Sequence, residues 1–201
     1  MMATAPQSSL FPSDGWWHVV SRRDPRALAL ADRHYSRQTI GGVELFPPGR
    51  RLCMLTADGL ALWGAVENLD PAGAIRWRVT IFRNEGPALS SILVREATER
   101  TYSYWRAHYG AVPGRLTTEV DPDRVRRKRD PGRCFLRAGW DVIGRGRGHR
   151  AGTPLVILGA PEGPASAGYA SSPSPADVSS APGAYSLLGA VCGGRAIREV
   201  G

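Results

Sequence analysis

A chain of 201 residues has room for one domain of ordinary size and a tail, which argues against a second catalytic domain. Its formal net charge is +8 and Lys128 is its single lysine, so arginine carries the excess and favours a polyanionic partner. The start lacks a basic segment with an apolar run, nothing approaches the ~18 apolar residues of a membrane span, and Cys53, Cys134 and Cys192 form no C-x-x-C pair; the expectation is a soluble cytoplasmic protein without a disulfide scaffold or structural zinc.

Residues 1–15 are polar and aperiodic and read as a loose leader. Trp17 to Ser21 suits a short strand. Asp24-Pro25 then supplies an N-cap and a first-turn proline for a helix expected to end near His34. Ser36 to Gly49, with Gly41-Gly42 and Pro47-Pro48, has the composition of a loop.

Leu52–Thr56 and Leu60–Leu69 are apolar runs separated by Ala57-Asp58-Gly59, and the Asp-Gly pair predicts a hairpin because glycine tolerates positive φ. Ile75 to Phe82 alternates arginine with bulky β-formers over its first half and predicts a third antiparallel strand. Leu89, Ile92, Leu93, Ala97 and Tyr104 recur at helical spacing, so Ala88 to His108 is expected to be the longest helix, ended by Gly110 and Pro113.

A short strand at Leu116–Val120 stops at Asp121-Pro122, and the basic run of 124–129 follows. A short helix at about 131–138 capped by Gly139, then strands at 140–144 and 155–158, complete the pattern. From about Ala160 the chain turns to Pro, Ser, Ala and Gly, a composition that buries too little apolar area to offset ordering entropy. The expected organisation is a leader over 1–15, one α/β (α+β) domain over 16–160 and a largely disordered tail over 161–201. A transient helix at 185–191 is an option within that tail. The domain is expected to hold a mixed central sheet of about six or seven strands flanked by helices.

This order of elements resembles the GNAT acyltransferase fold, in which a mixed sheet splays between its fourth and fifth strands and the acyl donor enters the gap. Arg83-Asn84-Glu85-Gly86-Pro87-Ala88 fits the R-x-x-G-x-A spacing of the GNAT pyrophosphate loop. The resemblance therefore implies donor binding at Arg83, Asn84, Glu85, Gly86 and Ala88, with glycine admitting phosphates close to the backbone.

His34-Tyr35-Ser36 at the end of the first helix, with Asp121-Pro122 ending a later strand and the short segment Gly132 to Trp140 after it, looks like the phage Mom family of DNA-modification proteins. That family attaches a carbamoylmethyl (acetamido) group to the N6 amine of adenine, shielding phage DNA from restriction. The resemblance implies His34, Tyr35, Ser36 and Asp121 at a catalytic centre, with iron as the metal and His34, Tyr35 and Asp121 as its ligands. The donor, an acyl-CoA or another acetamido donor, stays open. Phe135 stands where the family usually has a tyrosine in the short helix after Asp-Pro, so a phenolic role there is lost or moved.

An adenine N6 amine is a poor nucleophile because its lone pair is delocalised into the ring, so a base such as Asp121 or a metal-activated donor has work to do. Arg124, Arg126, Arg127, Lys128 and Arg129 are candidates to hold phosphates, helped by Arg133, Arg145, Arg147 and Arg150. Trp105, Phe135 or Trp140 is a candidate to support an adenine drawn out of the stack. Two other readings remain at this point: a conventional acetyl-CoA-dependent N-acetyltransferase acting on a protein, RNA or small-molecule amine, and a DNA-binding protein without chemistry. The oligomeric state, a homodimer among the options, is not legible.

Overall fold

The computed structural model describes residues 15–70, 72–125, 130–146 and 154–162. The expected leader apart from Gly15, the expected tail beyond Glu162 with its helix at 185–191, Cys192, and the basic residues Arg126, Arg127, Lys128, Arg129, Arg147 and Arg150 lie outside those residues.

The hairpin forms where its turn residues demand. Gly59 has φ 69°, and Asp58 Oδ1 accepts from the Leu60 amide at 2.9 Å and from Thr56 Oγ1 at 2.6 Å. This turn joins β2 (Arg50–Thr56) to β3 (Ala61–Leu69), paired antiparallel from Arg50↔Glu67 to Leu55↔Leu62. Upstream, Trp17–Val19 makes β1 on the outer edge of β2, two residues shorter than the expected strand. Helix α1 (Pro25–Asp32) starts on the Asp24 side chain, which accepts from the Arg26 amide, with Pro25 in the first turn.

Strand β4 (Ile75–Asn84) pairs antiparallel with β3, and helix α2 (Ser90–Tyr109) follows, closed by Gly110 at φ 76°. Then come β5 (Thr117–Val120), the short helix α3 (Arg133–Arg137), β6 (Asp141–Gly146) and β7 (Leu155–Gly159). The fold is mixed α/β: one seven-stranded sheet in the order β1-β2-β3-β4-β5-β7-β6, with β4 and β5 its parallel neighbours and every other pair antiparallel.

Two cores hold the sheet. On one face α2 and α3 cover Trp17, Trp63, Trp77, Trp105, Phe135 and Trp140, all buried. Four of the five indole N–H groups find partners there: Trp17 donates to the Leu93 carbonyl, Trp63 to Thr101, Trp105 to Glu67 and Trp140 to Thr98, while the buried Trp77 Nε1 has none. On the other face α1 and Phe46 bury Cys53, Leu55, Leu62 and Ile81. In α2, Leu93 and Ala97 point inward, whereas Ile92 and the preceding Leu89, which share the apolar spacing, are exposed. Among the described residues no helix is long and apolar enough to cross a membrane.

One irregularity in β4 positions everything that follows. Val79 faces Ala65 and Ile81 faces Gly64, so Thr80 is an extra residue in the β3–β4 ladder. Side chains alternate along a strand, and one inserted residue reverses which face each later one meets. Trp77 and Val79 accordingly pack in the α2 core, yet Ile81 packs in the α1 core. Pairing with β5 also stops there, after Arg78↔Thr117 and Val79↔Thr118. Beyond the bulge the fourth and fifth strands separate.

Candidate active site

The gap between β4 and β5 is a cleft of about 250 Å³. Thr80, Ile81 and Phe82 of β4 form one wall and Thr118, Glu119 and Val120 of β5 the other. His34, Tyr35 and Ser36 close it on the α1 side; Gly132, Cys134 and Phe135 close it on the α3 side. Because it is lined from both faces of the sheet, it runs through the sheet rather than lying upon it.

Helix α1 ends at Asp32, two residues before the expected end, and the Arg33 and His34 amides return to the carbonyls of Leu30 and Ala31. This last turn carries His34 to the cleft. Its Nδ1 lies 2.7 Å from Ser36 Oγ and accepts from the Ser36 amide at 3.2 Å. That acceptor role assigns the ring proton of the neutral form to Nε2. Burial, reinforced by the charges of Arg83 and Arg124, pushes the His34 pKa down to about 4. The imidazole is therefore neutral at physiological pH.

Tyr35 stacks on His34, ring centroids 4.5 Å apart, and Arg124 lies over its outer side at 5.9 Å. Burial raises the Tyr35 pKa, with a backbone hydrogen bond at Asp121 working the other way and the Asp121 charge adding to the rise. Asp121 itself does not line the cleft; its Oδ1 accepts from the Asp123 amide at 2.9 Å and shapes the turn that leaves β5.

The iron implied by the resemblance does not fit these residues as they stand. His34 Nδ1 is taken by Ser36, the phenol of Tyr35 is held in its protonated form, and one Asp121 oxygen serves the turn. Among the described residues no group of three His, Cys, Asp or Glu side chains converges on a point.

The segment expected to bind the donor's phosphates is otherwise occupied. Arg83 projects to the α1 face, where Nε donates to Glu85 Oε1 at 2.6 Å and Nη1 donates to the Arg33 carbonyl. Glu85 also receives a two-bonded fork from Arg33, and these guanidinium contacts hold its pKa near 2. Asn84 Oδ1 takes the Gly86 amide, while Asn84 Nδ2 donates to the Ala88 carbonyl and Ser90 Oγ. None of residues 83–88 lines the cleft. The arrangement builds a brace between β4 and the end of α1.

Among the described arginines proposed for phosphates, Arg124 and Arg133 reach the site. Arg133 lines the cleft and donates to Asp130 at 2.8 Å. Arg145 is exposed on β6, the edge strand two places away from β5. Val125 and Asp130, the described residues on either side of 126–129, both line the cleft. Trp105 and Trp140 are corrected to core residues, each fully packed with its N–H satisfied; Phe135 alone of the three aromatics borders the cleft.

Sequence reasoning passed over Thr80, Thr118 and Glu119. The available signal was polarity in the wrong place, a Thr-Thr-Glu series in a strand that the expected order sets beside the splay. No family model matches the chain, and no curated protein matches it.

Proposed function

We propose that this protein is a Mom-like transferase that places an acetamido group on the N6 amine of adenine in DNA. The observation that carries the reading is the cleft between β4 and β5, with His34-Tyr35-Ser36 on one side and Val125, Asp130 and Arg133 at its wall. A planar base suits the apolar surface of Phe82, Val120 and Phe135, while Arg124 and Arg133 offer charge to flanking phosphates. A neutral His34, with Nδ1 already accepting, serves to orient rather than to carry charge. Adenine in a duplex must leave the stack to reach such a slot, and the cationic rim offsets part of that cost.

The test is nucleoside mass spectrometry of DNA from a host expressing the chain. An adenosine carrying the added acetamido mass is expected; unmodified adenosine at good expression and iron supply would refute the reading.

A conventional acyl-CoA donor is the second reading, and the start of α2 favours it. Leu89 gives that helix no side-chain cap, and amides at an uncapped helix start suit a pyrophosphate. Saturable acetyl-CoA binding without DNA affinity would select this alternative.

A further inference from the structure

Transfer to an amine needs a group that removes its proton, and the cleft holds few. Two carboxylates line it among the described residues, Asp130 and Glu119. Asp130 is bound to Arg133 Nη1 at 2.8 Å. His34 already accepts at Nδ1 from Ser36, and the neutral ring then carries its proton on Nε2, which leaves no free lone pair. The Cys134 thiol is pushed up by burial and does not ionise readily. Asp121 stands outside the lining.

Glu119 differs from each of these. It is the third residue of β5, and the buried neighbours Thr118 and Val120 fix its direction, because alternation turns it to the opposite face, the face that bears His34. Thr118 Oγ1 donates to the Val79 carbonyl at 3.1 Å and pins the strand one residue before the splay. Among the described residues the Glu119 carboxylate accepts no hydrogen bond within 3.5 Å and has one ion-pair contact, a loose one with Arg76 Nη1 at 3.8 Å. A carboxylate held at a gap on a rigid strand, with its lone pairs unclaimed, has the geometry a proton acceptor needs.

Resting on the function proposed above, we infer that Glu119 is the general base of the transfer reaction. The acceptor nitrogen forms its bond to carbon of an activated acetamido or acyl donor. The bond from that carbon to the leaving group breaks, and the leaving group departs with the electron pair. The proton lost by the nitrogen passes to a Glu119 oxygen and from there to solvent. Arg76, which also pairs with Asp70, faces the carboxylate at 3.8 Å without closing over it.

The experiment compares initial rates of adenine modification after induction, at matched protein levels, for the unaltered chain and for Glu119→Gln, Glu119→Asp and Asp121→Asn. Glu119→Gln is expected to slow modification by about 100-fold with DNA affinity and melting temperature unchanged. Glu119→Asp should recover part of the rate, and Asp121→Asn should fall less than Glu119→Gln. Modification by Glu119→Gln within twofold of the unaltered chain overturns the role of Glu119 and leaves the proposed function standing. Absence of any modified nucleoside from the unaltered chain overturns both.

Discussion

Arg33 and Glu85 lie 52 residues apart in sequence and meet as a parallel fork, Nε to Oε1 at 2.8 Å and Nη2 to Oε2 at 2.7 Å. Arg83 completes the group by donating to the same carboxylate and to the Arg33 carbonyl. The residue after Arg33 is His34, so the brace fixes the turn that brings the imidazole to the cleft. Glu85→Gln should therefore lower stability at pH 7. The sign follows from its pKa: the folded value near 2 lies below the ordinary carboxylate value of 4.5, so the contribution is complete above pH 4.5 and disappears as pH falls through 2. Urea unfolding of both proteins at pH 7 and in acid should show the difference narrowing in acid.

His34 predicts a second acid effect at higher pH. Its folded pKa of about 4 lies below the ordinary 6.5, so the unfolded chain binds more protons between those values. Stability is full above pH 6.5 and falls as pH drops towards 4, by at most about 3 kcal/mol. A His34→Gln variant should show a flatter stability profile across that window in denaturant titrations.

Gly132 should not tolerate a side chain. It sits at φ 78° at the start of α3, and a Cβ there would come within 2.5 Å of Leu158 Cδ1. Gly132→Ala combines a left-handed backbone with overpacking, an expected loss of about 2–3 kcal/mol. Thermal unfolding measures it, and because Gly132 borders the cleft, ligand affinity should fall as well.

For the nucleic-acid surface, Arg124→Ala and Arg133→Ala should each reduce the dependence of log K on log salt by about 0.9 if each holds one phosphate of duplex DNA. Arg145→Ala, on the far edge of the sheet, should leave that slope unchanged. Fluorescence anisotropy at several salt concentrations separates the three variants.

The parts of the fold written in local chemistry were legible. Asp24-Pro25, Asp58-Gly59 and Gly110 each satisfy a backbone requirement within a few residues, and each stands where an element starts, turns or stops. Leu89 and Ile92 misled because periodicity records apolarity and not what lies opposite; both share the spacing of Leu93 and both face solvent. The brace of Arg33, Arg83 and Glu85 could not be read at all, since it joins side chains brought together only by the packing of α1 against β4. The R-x-x-G-x-A spacing was real, yet its arginine was committed to a partner far away in sequence. Glu119 entered the site for a similar reason: it belongs to no motif, and only the sheet order sets it at the gap.

The inserted Thr80 gives the cleft an unusual kind of dependence. Most pockets owe their shape to which side chains line them, and point substitutions reshape them gradually. Here the opening begins at a miscount between two ladders, nine residues in β3 against ten in β4. Removing Thr80 would bring Ile81 into the position that faces Gly64 from a regular strand, restore the alternation with Val79, and invite β4 to continue along β5. The slot is thus a property of strand length: exchanging its lining residues would alter what fits inside, but one deletion would close it.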